Sequence, residues 1–370
     1  MGDEVGLSAA AFRAKVERGE VWQEQEKRLF KHRAQEIVSS LQMRELNETI
    51  KTLGELLSNH KSRYYILIDD LDLEWAGNQQ TQYALLRALI ECIKAFRRIA
   101  NLKIIVAMRE DLYEAMLRQT TDKHFQSEKH EGIIKRLRWS KDFLLRVIDK
   151  RINQLHEFQY TKQSVRLADV LPDTILQVPT RVFLTRHTLQ RPRDVIALVN
   201  KVLAINEGAT LPLSARAVTK AEPDFSRDRL RALEEEWRSC HPLIRRYLEC
   251  LRGLNEPEPV GILDEDRLIE LIFEVADLQR APFDEVERVA KTIYERDKES
   301  RVRKLALALV CCLFKVGAVG VRVHHDQGYT FCYDQHSTIQ ESEISISTKF
   351  VVHPMLQSAL GSYSDHSEAA

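Results

Sequence analysis

A chain of 370 residues exceeds what one small core organises, and at one domain per roughly 100–200 residues it predicts two or three domains. Lys+Arg and Asp+Glu stand at 55 each, so no global field draws the molecule to nucleic acid or to an anionic membrane, and any such contact has to come from a local patch. A charged fraction of 30% with only 13 Gly and 10 Pro favours long amphipathic helices over a turn-rich all-β fold.

The six cysteines form no C-x-x-C pair and no ligand-like spacing, which argues against a zinc ribbon or a disulfide framework and predicts free thiols in a reducing compartment. Met1 is followed by GDEVGLSAAAF, with neither a basic nor an apolar leader region, and no uncharged apolar stretch reaches the roughly 20 residues needed to span a bilayer. The expectation is a soluble, cytoplasmic protein with no membrane contact.

In chain order, Phe12, Val16, Leu29, Ile37, Leu46, Ile50, Leu53 and Leu57 recur among charges mostly at helical spacings, so residues 1–63 read as a helical segment. Tyr64-Tyr65-Ile66-Leu67-Ile68 is apolar without alternation, which predicts a central parallel strand buried on both faces and ending in Asp69-Asp70-Leu71-Asp72. A helix from Thr81 to Ile99 and a second buried strand from Leu102 to Met108, ending in Arg109-Glu110-Asp111, complete an α/β unit, with a weaker strand predicted at Gly132–Leu137. Helices follow at Ser140–His156, Val178–His187 and Arg191–Ile205, stopped by Asn206-Glu207-Gly208, and Leu211-Pro212-Leu213-Ser214 reads as a hinge. The predicted boundaries are therefore 64–210 for the α/β core with its helical lid, 211–360 for a mainly helical domain, and 361–370 for a disordered tail. Within the second domain, helices are predicted at Arg227–Ser239, His241–Leu251, Asp264–Asp277, Phe283–Ile293 and Ser300–Val316. A hairpin over Ala318–Tyr333 follows, because Val319, Val321 and Val323 alternate with Gly320 and Arg322 while Tyr329, Phe331 and Tyr333 alternate with Thr330 and Cys332.

Carboxylates delivered at the C-terminal end of a parallel strand suit Mg²⁺ organisation and activation of a water, which makes Asp69 the metal candidate and Asp70 the catalytic one. Arg109 ends the next strand, where its guanidinium either pairs with a phosphate or forms a structural ion pair with the aspartates. In Leu189-Gln190-Arg191-Pro192-Arg193-Asp194, a proline suited to the first helical position stands between Arg191 and Arg193 and makes an anion-friendly corner. His324-His325-Asp326 with Cys332 lacks a recurring zinc spacing, and Cys240-His241 has no third partner nearby in sequence, so neither receives a role.

The order of these parts resembles bacterial P-loop ATPases of the signal-transduction (STAND) and KAP-like groups: a strand with Asp-Asp-Leu-Asp, a strand ending in Arg, Leu137-Arg138-Trp139 leading a long helix, and Arg-Pro-Arg-Asp before another. The resemblance covers roughly Tyr64 to Ile205 and implies Walker B aspartates at Asp69 and Asp70, a sensor 1 residue at Arg109, a sensor 2-type arginine at Arg193 with Arg191 as second choice, and Mg²⁺ with ATP or ADP as ligands. It further implies a partial P-loop parallel sheet followed by a winged-helix-like domain, to which Leu313–Val319 and Phe350–Met355 are also similar. One departure stands out: no G-x-x-x-x-G-K-[ST] occurs, and Gly54–Lys61 lacks the second glycine, so the phosphate cradle is missing and the chain is expected to begin after that loop or to be a degenerate form. The leading expectation is a nucleotide-dependent switch module that works with an upstream ATPase segment or a protein partner. The alternatives are a nucleotide-independent interaction scaffold and a sequence-tolerant DNA-binding protein acting through its C-terminal winged-helix-like domain, although the neutral net charge makes DNA a weak partner at most.

Overall fold

Two short apolar runs 38 residues apart, starting at Tyr64 and Leu102, pair as parallel strands, and a parallel pair requires a crossover between them. The computed structural model of the protein describes residues 44–45, 47–57, 61–71, 79–119, 132–159, 164–238, 240–293, 297–324, 326–334 and 339–361. The helical pattern over residues 7–43, Asp72, His325 and the tail from residue 362 lie outside them. The chain divides into two units, Met1–Gly132 and Ile133–Ala370.

In the N-terminal unit, β1 (Tyr64–Ile68) and β2 (Leu102–Val106) run in register from Tyr64↔Leu102 to Ile68↔Val106. The crossover is α1 (Gln79–Phe96), whose Tyr83, Leu86 and Ile90 are buried, and α2 (Glu110–Gln119) follows β2 and buries Leu112 and Met116. Helical residues 47–57 are tied to the sheet where Asn101 Nδ2 donates to the Leu57 carbonyl at 2.8 Å. The predicted burial of β1 on both faces is corrected. Tyr65 is 57% and Leu67 73% exposed, because among the described residues the sheet has two strands and the helices cover only part of it.

In the C-terminal unit one hydrophobic core extends from Leu144 to Leu360, and it includes Val202, Leu213 and Val218 on both sides of the predicted hinge. Gly132–Leu137, predicted as a strand, is a turn followed by residues without regular secondary structure and without a ladder partner among the described residues. Helix α3 (Lys141–Gln159) packs Leu144, Leu145 and Ile148 inward. The two-residue strands β3 (Thr174–Ile175) and β4 (Val178–Pro179) are closed by Leu176 and Gln177, both at positive φ, and α4 (Thr180–Arg186) follows. Helix α5 (Pro192–Ile205) carries its proline at the first turn. Helix α6 (Ala215–Trp237) begins well before the predicted Arg227: Ser214 caps it by accepting the Ala217 N–H, and the burial of Val218, Ala221 and Phe225 carries the helix through Pro223.

Helices α7 (Ile244–Glu249), α8 (Glu265–Ala276), α9 (Glu285–Lys291) and α10 (Lys298–Lys315) follow, with β5 (Glu258–Pro259) between the first two. Asp264, Asp284 and Asp297 cap α8, α9 and α10 with their side chains. An antiparallel sheet of order β5-β7-β6 is completed by β6 (Val319–Arg322) and β7 (Lys349–Val352), and the short α11 (Pro354–Gln357) closes the unit. The predicted hairpin is therefore corrected in part: β6 pairs along its length with β7, while Tyr329–Tyr333 touches it through the single bridge Val321↔Thr330. The reason is that both faces of β6 are occupied. Gly320, on the face predicted to be solvated, lies under the Phe331 ring, where an added Cβ would sit 2.7 Å from Cζ.

Two outcomes follow from these contacts. Phe331 stacks on Tyr333 with ring centroids 5.4 Å apart and meets His353 edge-on, so its ring has little room to retreat, and Gly320→Ala is expected to cost about 1–3 kcal/mol in urea denaturation. Glu222 is 1% exposed on α6 and accepts from Ser358 Oγ, and burial raises its carboxyl pKa from 4.5 to about 7. Because the folded pKa lies above the unfolded value, its contribution becomes unfavourable as pH rises from about 4.5 to 7, and it reaches a cost on the order of 3 kcal/mol above that window. Glu222→Gln should therefore raise the melting temperature at pH 8 and change it little at pH 4, as read by calorimetry.

Candidate functional site

Parallel pairing puts the C-terminal ends of β1 and β2 at one edge of the sheet, the edge where open α/β sheets bind ligands. The Ala107 N–H donates to the Ile68 carbonyl at 2.8 Å and carries the ladder to the strand ends. Asp69 follows immediately, exposed, and its Oδ1 accepts the Asp70 N–H at 2.9 Å. Asp70, also exposed, has φ 58°, a left-handed conformation that aspartate tolerates better than most residues and that turns the chain sharply away from the strand. Arg109 stands three residues beyond Val106, half-buried, and its carbonyl accepts the Tyr113 N–H at 3.1 Å, so its backbone starts α2. The three candidates of this unit thus lie beyond the same strand ends. Among the described residues no group of three or more His, Cys, Asp and Glu is placed to hold a metal ion by itself.

The Arg-Pro-Arg-Asp corner belongs to the other unit, and its residues separate by role. Asp194, in the first turn of α5, is 5% exposed. One of its carboxylate oxygens accepts the Leu189 N–H at 3.1 Å, and the other pairs with Arg229 Nη1 on α6 at 3.2 Å. Arg191 is held by Glu236 on α6, its Nη1 lying 2.7 and 2.9 Å from the two carboxylate oxygens. Arg193 is exposed and forms no ion pair among the described residues. Of the two candidate arginines, Arg193 alone is thus available to an anion, while Arg191 serves the α5–α6 contact. Glu236 and Arg229, 35 to 45 residues downstream, are the partners that sequence reasoning missed, and nothing local in α6 signals them.

His241, which lacked a partner in sequence, finds several in the fold. Its Nδ1 lies 2.7 Å from Asp284 Oδ2 and 3.6 Å from Cys312 Sγ, and Tyr247 Oη donates to Asp284 at 3.0 Å. Thiol and carboxylate converge on the same ring nitrogen, whereas a Cys-His-Asp relay needs them on opposite nitrogens. Burial pushes the Cys312 thiol well above its ordinary range, so it stays protonated. The cluster is a buried hydrogen-bonded anchor between α7, α9 and α10.

The division of labour within the corner is open to test. Asp194→Ala strands a guanidinium that is only 17% exposed, and a loss of about 3–5 kcal/mol in chemical denaturation is expected. Arg193→Ala should leave stability within about 0.5 kcal/mol.

Residues 142–234, from α3 into α6, match the family described as the FunZ-associated C-terminal helical domain. The chain is 22% identical over 311 residues to the putative transposon gamma-delta 80.3 kDa protein of Escherichia coli (strain K12), covering 84% of this chain and 42% of that protein. It therefore spans less than half the length of this relative. No solved structure matches the chain significantly.

Proposed function

We propose that the chain is the Mg²⁺-nucleotide-responsive part of an ATPase-derived switch, with Asp69 and Asp70 as the metal-facing carboxylates, Arg109 as the phosphate-sensing residue beside them and Arg193 as a further anion contact. The observation that carries this reading is the in-register parallel pairing of β1 and β2, with Asp69-Asp70 beyond one strand end and Arg109 beyond the other. Magnesium is commonly held by one or two carboxylates, with phosphates and waters filling the remaining positions, and two exposed carboxylates without a complete protein cage suit that mode. The phosphates fit less well, because no glycine-rich loop with its lysine is present to cradle them, and no hydrolytic step is assigned to this chain alone. A protein partner that supplies the cradle is part of the reading.

For the C-terminal part the reading is a winged-helix-like module that contacts protein. The succession α7, β5, α8, α9, α10, β6, β7 with sheet order β5-β7-β6 supports it. Beside α10 lies a cavity of about 460 Å³ lined by Leu263, Val302, Ala306 and Ile346, and its rim carries the ion pairs Lys298–Glu265 and Arg303–Glu299. Cations already neutralised by carboxylates have little left for a phosphate backbone, so duplex DNA binding through this face is expected to be weak and lost at moderate salt.

Titration of the purified chain with a fluorescent ATP analogue, with and without Mg²⁺, tests the nucleotide reading. Weak, Mg²⁺-dependent binding is expected, reduced about tenfold by Asp69→Asn, with negligible phosphate release. Absence of binding at millimolar nucleotide would favour a nucleotide-independent scaffold. Robust turnover abolished by Asp70→Asn would overturn the assignment of an incomplete site.

A further inference from the structure

The neutral net charge conceals a cationic stretch at the start of the C-terminal unit. Between residues 135 and 151 stand seven Lys and Arg against two acids, Asp142 and Asp149. The Asp149 carboxylate is already engaged, accepting the Leu167 N–H at 2.9 Å. Lys135, Lys141, Lys150 and Arg151 are exposed and form no ion pair among the described residues.

Aromatic and apolar side chains are interleaved with these charges. Trp139 is 39%, Phe143 55% and Leu137 86% exposed. Residues 134–139 form no regular secondary structure; Lys135, Leu137 and Trp139 are all exposed, and Arg138 anchors the stretch by donating to the Asp334 carbonyl at 3.1 Å. On α3, Phe143, Arg146 and Lys150 share the outward face, opposite buried Leu144, Leu145 and Ile148, and Arg146 Cζ lies 5.4 Å from the Phe143 ring centre.

We infer that this strip, Lys135 to Lys150, is a binding surface for single-stranded nucleic acid. Exposed rings give unpaired bases a stacking platform, and unpaired lysines alongside track the phosphates; a duplex hides its base faces and gains only from the charges. An anionic membrane is the other surface that attracts basic and aromatic residues. It needs a helix with a free apolar face, and the apolar face of α3 is spent in the core. The surface differs from the α10 face, where Lys298 and Arg303 are paired with Glu265 and Glu299, and its failure or success is independent of nucleotide binding.

The test is fluorescence anisotropy of the full chain with a labelled 20-nucleotide oligo-dT, the matching duplex, and anionic phospholipid vesicles, over a range of NaCl concentrations. Expected is preference for the single strand; weakening of at least about tenfold in the double variant Trp139→Ala, Phe143→Ala, with most binding retained in Trp139→Phe; and a salt slope lower by about 2 in the triple variant Lys135→Ala, Lys141→Ala, Lys150→Ala. Arg303→Ala with Lys304→Ala should bind as the unaltered chain does. All the substituted positions are solvent-exposed, and unchanged melting curves verify folding. Equal affinity for duplex and single strand, indifference to the aromatic variant, loss in the α10 variant, or binding to vesicles without binding to oligo-dT each overturns the inference, as does absence of oligo-dT binding at low salt.

Discussion

A carboxylate withdrawn from water has to find donors inside the fold, and in the C-terminal unit this requirement is met over and over between segments distant in sequence. Asp194 on α5 reaches Arg229 on α6, and Glu222 on α6 receives the hydroxyl of Ser358 beyond α11. Glu287, with none of its side chain exposed, is clasped by both terminal nitrogens of Arg280 at 2.6 and 2.7 Å and by the Phe283 N–H at 2.7 Å. Asp284 gathers His241 and Tyr247. Each of these groups tolerates few alternative arrangements, so together they fix helix register in a core whose apolar contacts alone would permit sliding. The same constraint explains why the Arg-Pro-Arg-Asp corner is mostly architecture: three of its four residues start or brace α5, and Arg193 alone is turned out to solvent without a partner among the described residues.

What was legible in the sequence was what local patterns dictate. The two parallel strands follow from unbroken apolar runs, and once these are placed, Asp69, Asp70 and Arg109 necessarily stand beyond their ends. Helices α5, α8 and α10 announce themselves by a proline or aspartate at the start and apolar spacing after it. The failures have physical causes as well. Leu176 and Gln177 close a two-residue turn at positive φ without the Asn-Gly chemistry that normally signals one, so the sequence pattern misses the turn and merges β4 with the start of the helix Val178–His187. Pro223 lies within α6 because core burial on either side outweighs the lost hydrogen bond. Alternation points to the nearest stretch, Tyr329–Tyr333, as the partner of β6, whereas a strand 27 residues beyond its end, Lys349–Val352, provides the ladder. Arg191 looked available because Glu236 lies 45 residues away.

Charge is segregated although the total is zero. Residues 133–210 hold fourteen Lys and Arg against seven Asp and Glu, and several of these cations, on α3 and the stretch leading into it, are unpaired among the described residues. On α10, by contrast, Lys298 and Arg303 are matched by Glu265 and Glu299. A neutral isoelectric balance therefore describes neither surface, and the two have different affinities for polyanions.

The exposed strand β1 also bears on how the protein behaves in a test tube. Tyr64–Ile68 holds five consecutive apolar, strongly β-forming residues without a charge or a proline, largely open to solvent, in a sheet of two strands among the described residues. Strands of this composition recruit further strands from whatever chain is at hand, their own included. The shelf life and usable concentration of the purified polypeptide are accordingly governed by this short segment more than by the melting point of the larger helical unit, and a soluble charged fusion or a Lys substitution at Leu67 is the direct remedy.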